Sequence, residues 1–144
     1  MAALTADITT RRLGQPDSIQ QPVPVAAAVK VFAGSIVAVK VGYGQPAVES
    51  DAGSYAVIAM EQVDNLAGAA GDKTVKTERH GIFALRHETA TLAVTDVGVL
   101  VYAKDDNLIT KTAGTNTPVG RIFKLDEADP TQTAWVYVPG EVKP

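Results

Sequence analysis

The chain has 144 residues, 46% of them hydrophobic and only 6% aromatic, which allows one domain with a core of Val, Ala, Ile and Leu. Its 16 Asp and Glu against 13 Lys and Arg leave a formal net charge of −3, with no bulk basic face of the kind a nucleic-acid coat needs. Cysteine is absent, which removes disulfides, thiolate nucleophiles and cysteine metal sites.

Asp7, Arg11 and Arg12 interrupt the start of the chain, so no signal peptide is expected. No apolar run reaches the roughly 20 residues of a membrane helix. A protein made and used in the cytosol, free or bound in an assembly, is the expectation.

Residues 1–21 read as an extended arm. Ile8 and Leu13 are too isolated to define a face, and Pro16, Pro22 and Pro24 favour extended backbone. Such an arm is either a loose terminus or a strap that orders on a neighbour. Residues 22–144 form the β domain. Residues 24–32 predict a strand with Val25, Val29 and Val31 on one face. After a turn at Ala33-Gly34, residues 35–41 predict a strand apolar on both faces through its centre, buried on both sides or with one side against a partner. Residues 42–46 read as a turn carrying Tyr43, and residues 55–60 as a central strand. The segment 61–70 is loose.

Residues 71–85 (GDKTVKTERHGIFAL) are the stretch around which the strands on either side are organised. A Gly-Asp turn leads into an alternation of Thr74, Lys76 and Glu78 against Val75, Thr77 and Arg79, a strand with one wet face. Gly81 predicts a bend before the apolar run Ile82-Phe83-Ala84-Leu85. Residues 90–94 predict an edge strand or extended link. Residues 99–103 and 108–112 predict a hairpin around Lys104-Asp105-Asp106-Asn107. Residues 119–125 predict a strand with a bulge at Gly120, and residues 134–138 the closing strand. Phe83 and Phe123 are expected in the core. Trp135 and Tyr137 share a face opposite Val136 and Val138, so one side of that strand is core and the other a contact surface. About eight short, closely spaced strands predict an all-β fold, a small curled antiparallel barrel or sandwich with an extended N-terminal arm.

The search for chemistry yields no catalytic, cofactor or metal residues. His80 and His87, the only histidines, match no compact metal motif even with Glu78 and Glu88, and read as surface or hydrogen-bonded side chains. The acidic stretches at Asp105-Asp106 and Asp126-Glu127 lack the calcium-loop pattern. Asp51 and Asp72 adjoin glycines in turns, where geometry alone wants them. The four serines, Ser18, Ser35, Ser50 and Ser54, have no nucleophile context. Arg11-Arg12 read as a solvated pair, or as a patch for an acidic shell.

The runs VPVAAAVKVFAGSIVAV, GDKTVKTERHGIFAL, TDVGVLVYAKDDNLIT and AGTNTPVGRIFKLDE resemble the capsid cement, or head decoration, proteins of tailed bacteriophages and prophages. The likeness covers roughly residues 25–138 and rests on Ala33-Gly34, the strand start at Gly71-Asp72-Lys73-Thr74-Val75, residues 96–106, and Val119-Gly120-Arg121. It implies a structural virion protein, not an enzyme, that sits on the outer surface of the capsid. The implied protein is a homotrimer, with the major capsid protein as partner and no cofactor, nucleic acid or membrane. It is assembled in the host cytoplasm, and the arm reaches onto the shell. On that basis, removing residues 1–21 is expected to spare the fold and weaken attachment. The alternative is a carbohydrate- or host-surface-binding module that stacks ligands on Tyr43, Trp135 and Tyr137.

Overall fold

Two curled five-stranded sheets share one chain, and in each a parallel pairing brings the last edge round to the first. The structure is a computed structural model and describes residues 3–13, 19–88 and 90–140. The turn expected over residues 14–18 and the tail at residues 141–144 lie outside the described residues. In chain order the strands are β1 (Arg12–Leu13), β2 (Ile19–Pro24), β3 (Lys30–Val31), β4 (Ile36–Lys40), β5 (Tyr43–Pro46), β6 (Tyr55–Ala59) and β7 (Val63–Asp64). They continue with β8 (Thr74–Arg79), β9 (Gly81–His87), β10 (Leu100–Ala103), β11 (Leu108–Thr110), β12 (Pro118–Leu125) and β13 (Thr133–Val138).

The C-terminal strands run β9-β11-β10-β12-β13 and back to β9, a closed five-stranded barrel. β13 pairs antiparallel along all of β9, from Gly81–Val138 to Arg86–Thr133. The other edge of β9 is shared: β1 takes Ile82 and Phe83, and β11 takes Arg86 and His87 in the barrel's parallel step. Closure removes the free edges that a flat sheet must protect.

The N-terminal strands run β2-β8-β6-β4-β5. Their ring meets at one parallel bridge, Val25 to Gly44, with the Ala26 N–H donating to the Gly44 carbonyl at 2.9 Å. The Val25 N–H points the other way, to Lys73, so by alternation Pro22 and Pro24 put their nitrogens toward the β2–β5 seam. Proline has no N–H to give there, and a longer ladder cannot form.

Of the two alternatives for β4, burial on both faces within the chain is the one observed. Val37, Val39 and Val57 face a valine core with Val23, Val25, Val31 and Val75. The opposite face, Ile36, Ala38, Ala56 and Ile58, joins the barrel cluster of Phe83, Leu85, Val101, Ile109, Ile122 and Val136. A strand between two cores needs apolar residues at every position, and IVAV supplies them.

Several local expectations are corrected. Residues 74–85 are not one bent strand: β8 belongs to the N-terminal sheet and β9 to the barrel. The break falls on His80, left-handed at φ 59, while Gly81 is not left-handed. The His80 N–H is tied to the Val138 carbonyl at 2.7 Å. The bulge expected at Gly120 is present against β10: Val101 faces Gly120 and Tyr102 faces Pro118, which leaves Val119 as the extra residue. A Cβ on Gly120 would come within 1.9 Å of the Tyr137 carbonyl, so the glycine also permits close strand approach. The bulge against β13 lies between Ile122 and Lys124, and the extra residue, Phe123, is thrown outward at 50% exposure instead of entering the core. The strand expected over residues 24–32 shrinks to β3 because Ala28 is left-handed, at φ 58. The turn at residues 42–46 is largely strand β5. Residues 90–94 form no strand, and Val94–Asp96 make one 3-10 turn.

Candidate functional site

The histidines do not meet in a site. His87 is buried in the barrel, its Nδ1 2.8 Å from the Glu88 carbonyl and its Nε2 without a hydrogen bond. Burial holds its pKa below the usual imidazole value, against the opposing influence of Pro130 and Asp129. His80 is exposed, with Nδ1 3.3 Å from the Tyr137 hydroxyl. Glu78 accepts from Arg12, and Glu88 pairs with Lys104. Among the described residues no group of three or more His, Asp or Glu could hold a metal ion. The acidic turns bind backbone: Asp105 accepts from the Asn107 N–H, and Asp72 from that of Ala69.

The arm lies on the chain's own domain. The Leu4 N–H donates to Asp106 at 2.9 Å, Asp7 accepts from the Ala33 N–H at 2.9 Å, and the Ile8 N–H donates to the Ala33 carbonyl. Gly34 makes room for it: at φ 83, a Cβ would fall 2.4 Å from the Ile8 carbonyl oxygen. Asp106 is buried, and that burial raises its pKa, offset in part by the Leu4 N–H.

Arg11 and Arg12 are fasteners instead of a free basic patch. Arg12 Nη1 contacts both Glu78 oxygens at 2.8 Å. Arg11 pairs with Asp126 at 3.2 Å and lays its guanidinium 5.1 Å from the centroid of the Trp135 ring. Trp135 Nε1 donates to the same Asp126 at 3.3 Å. The tryptophan is outside the barrel yet only 7% exposed, because the arm covers it.

Beside the tryptophan on that wall runs a row of register partners, half-buried at Ile82 and exposed at Leu13 and Tyr137. Leu13 opposes Ile82, Ile82 opposes Tyr137, and Tyr137 opposes Arg121 across four strands. Directly paired residues share a face, so the row is continuous from β1 to β12. Tyr137 is 40% exposed, and Phe123 extends the apolar surface beside it. The Gly98 N–H bonds the Ile122 carbonyl at 2.8 Å, which brings exposed Val97 next to the same strand. Arg121 borders the row and donates to the Gly98 carbonyl at 3.1 Å.

Of the three rings expected to form a stacking platform, Tyr43 stands in the N-terminal sheet and Trp135 is covered, leaving Tyr137 alone on the wall. On the outward side of the last strand Trp135 is covered and Tyr137 is exposed. Leu13 and Ile82 carry no sequence signal for their place beside Tyr137, since their alignment depends on pairing across distant strands.

No protein-family model, curated protein or solved structure matches the chain.

Proposed function

We propose that the chain is a structural protein of a phage particle. It binds the outer surface of the capsid as a trimer and braces the shell without chemistry of its own. The observation that carries this reading is the row Leu13, Ile82, Tyr137 with Phe123, an apolar surface left open on a fully closed barrel. A barrel with no free edge does not need that surface for its own core, and contiguous exposed apolar area of this kind suits a protein contact. The sequence likeness to capsid cement proteins supports the partner, and closed symmetric assembly supports the trimer. The major capsid protein is the partner in this reading, the virion exterior the location, and neither nucleic acid nor membrane is engaged directly.

The test is light scattering of the full chain, followed by co-sedimentation with purified expanded heads of the virus that encodes it. Three-subunit mass and saturable co-sedimentation are expected. A chain that remains a single subunit and stays in the supernatant with heads would reject the reading.

A further inference from the structure

The loop between β7 and β8 is folded around Asn65. Its side chain is buried, and Nδ2 donates to the Ala26 carbonyl at 2.9 Å and to the Ala69 carbonyl at 3.1 Å. Two carbonyl acceptors fix the amide's orientation, because the reversed amide would set oxygen against oxygen. Oδ1 can only accept, and it is buried with no donor. A buried amide oxygen in that position costs free energy until a positive group meets it.

Asn65 lines a hollow of about 480 Å³ together with Asp64, Gly68, Asp72 and Lys73. Gly68 lets the donors converge. A Cβ there would lie 2.0 Å from Asn65 Oδ1 and 3.3 Å from Asp72 Oδ2, so no side chain parts these two oxygens. Each carboxylate gives one oxygen to the loop backbone: Asp64 Oδ1 accepts from the Leu66 N–H at 3.0 Å, and Asp72 Oδ2 from that of Ala69. Neither carboxylate is in an ion pair among the described residues, although two lysines are close by. Lys30, the register partner of Asp64, lays its ammonium 5.3 Å from the centroid of the Phe32 ring, and Lys73 donates to the Asp64 backbone carbonyl at 2.7 Å.

We infer that this loop binds a calcium ion through Asp64, Asn65 Oδ1 and Asp72, with water completing the shell. The donors are all oxygen, two anionic and one neutral, which suits a hard cation. Calcium accepts roughly six to eight oxygens at 2.3–2.6 Å in flexible arrangements, whereas magnesium demands a near-ideal octahedron. Two carboxylates put the affinity in the weak class, with a Kd on the order of 10⁻⁴–10⁻³ M. The ion supplies the partner that Asn65 Oδ1 lacks and ties the end of β7 to the start of β8.

Terbium, a calcium surrogate that tyrosine excites at short range, tests the site. Tyr43 lies against the loop, its Cε1 3.5 Å from the Cβ position of Gly71, the residue before Asp72. The metal-stripped full chain should give tyrosine-sensitised terbium luminescence that calcium displaces and equal magnesium does not. Asp72→Asn and Asp64→Asn keep an oxygen for the loop N–H groups, and each should weaken calcium binding by at least about tenfold. Far-UV circular dichroism checks their folds, and either variant serves if the other fails. Tyr43→Phe should lose most of the luminescence while keeping the calcium-dependent rise in melting temperature that a ligand of the native state produces.

No luminescence and no rise in melting temperature up to about 10 mM calcium, tenfold above the weak end of that range, would overturn the inference. So would full binding by both Asp variants, or luminescence unchanged in Tyr43→Phe, since either puts the ion elsewhere. Magnesium that competes as well as calcium would overturn it too. Attachment to heads is a separate measurement, and none of these outcomes bears on it.

Discussion

The two five-stranded units solve the same closure problem with different materials. The C-terminal barrel closes over a mixed core of Phe83, Leu85, Ile109, Ile122 and Val136, and uses a two-residue parallel step at Arg86 and His87. The N-terminal sheet curls around valines and meets at a single bridge, because Pro22 and Pro24 face its seam. The larger, fully closed unit can leave apolar side chains on its outer wall without exposing a strand edge. The seam of the valine unit depends on a glycine, Gly44. The arm fastens both: Arg12 reaches Glu78 on β8, while Arg11 covers Trp135 on β13.

Cutting the arm should break this arrangement most severely. Removing residues 1–21 takes β1 and the first half of β2, bares Trp135 and strands Glu78 near the surface of both units. Instead of sparing the fold, it is expected to cost at least about 3–5 kcal/mol, the usual penalty for half of a largely buried ion pair. Urea unfolding measures it, and an unchanged midpoint would mean the arm only rests on the domain. Trp135→Ala should cost roughly 3–5 kcal/mol, read as a lower urea midpoint. A loss below about 0.5 kcal/mol would show that the covering by Arg11 is not maintained in solution.

Gly44→Ala probes the weaker seam. The added methyl would meet Val23 and Val37 at 2.9 and 3.0 Å, so about 1–3 kcal/mol is expected, read as a lower denaturation midpoint. No change would mean that the valine core has slack.

The smallest effect is the pH response of His87. Burial lowers its folded pKa, so the unfolded chain binds the proton first. Stability is therefore full above the unfolded value of about 6.5 and falls as pH drops below it toward the folded pKa. One such group gives a slope of at most about 1.4 kcal/mol per pH unit. Comparing wild type with His87→Leu at matched pH isolates it, and identical slopes between pH of about 5 and 7 would show that His87 titrates normally.

Much of this architecture was legible in the sequence where local pattern and burial agree. IVAV at β4 announces a strand between two cores, and alternation in TVKTER announces β8 with one wet face. The position of Tyr137 opposite Val136 follows from period two alone. What was not legible depends on pairing between distant segments. Phe123 looks like core until the register of β12 on β13 makes it the bulge. Gly120 marks the bulge against β10 as the sequence suggests, but nothing local shows that its missing Cβ also makes room for the Tyr137 carbonyl. His80 gives no sign that it, rather than Gly81, carries the left-handed turn between sheets. Arg11 and Arg12 read as a solvated pair because their partners, Asp126 and Glu78, lie far along the chain.

The central claim is that the open wall of the C-terminal barrel is a protein contact on a viral shell. Co-sedimentation of purified expanded heads with the full chain, beside Tyr137→Asp and Phe123→Asp proteins of unchanged fold, tests it most directly. Saturable binding by wild type and loss of binding in both wall variants is the predicted result. Wild-type protein left in the supernatant, or wall variants that bind as wild type does, would contradict it.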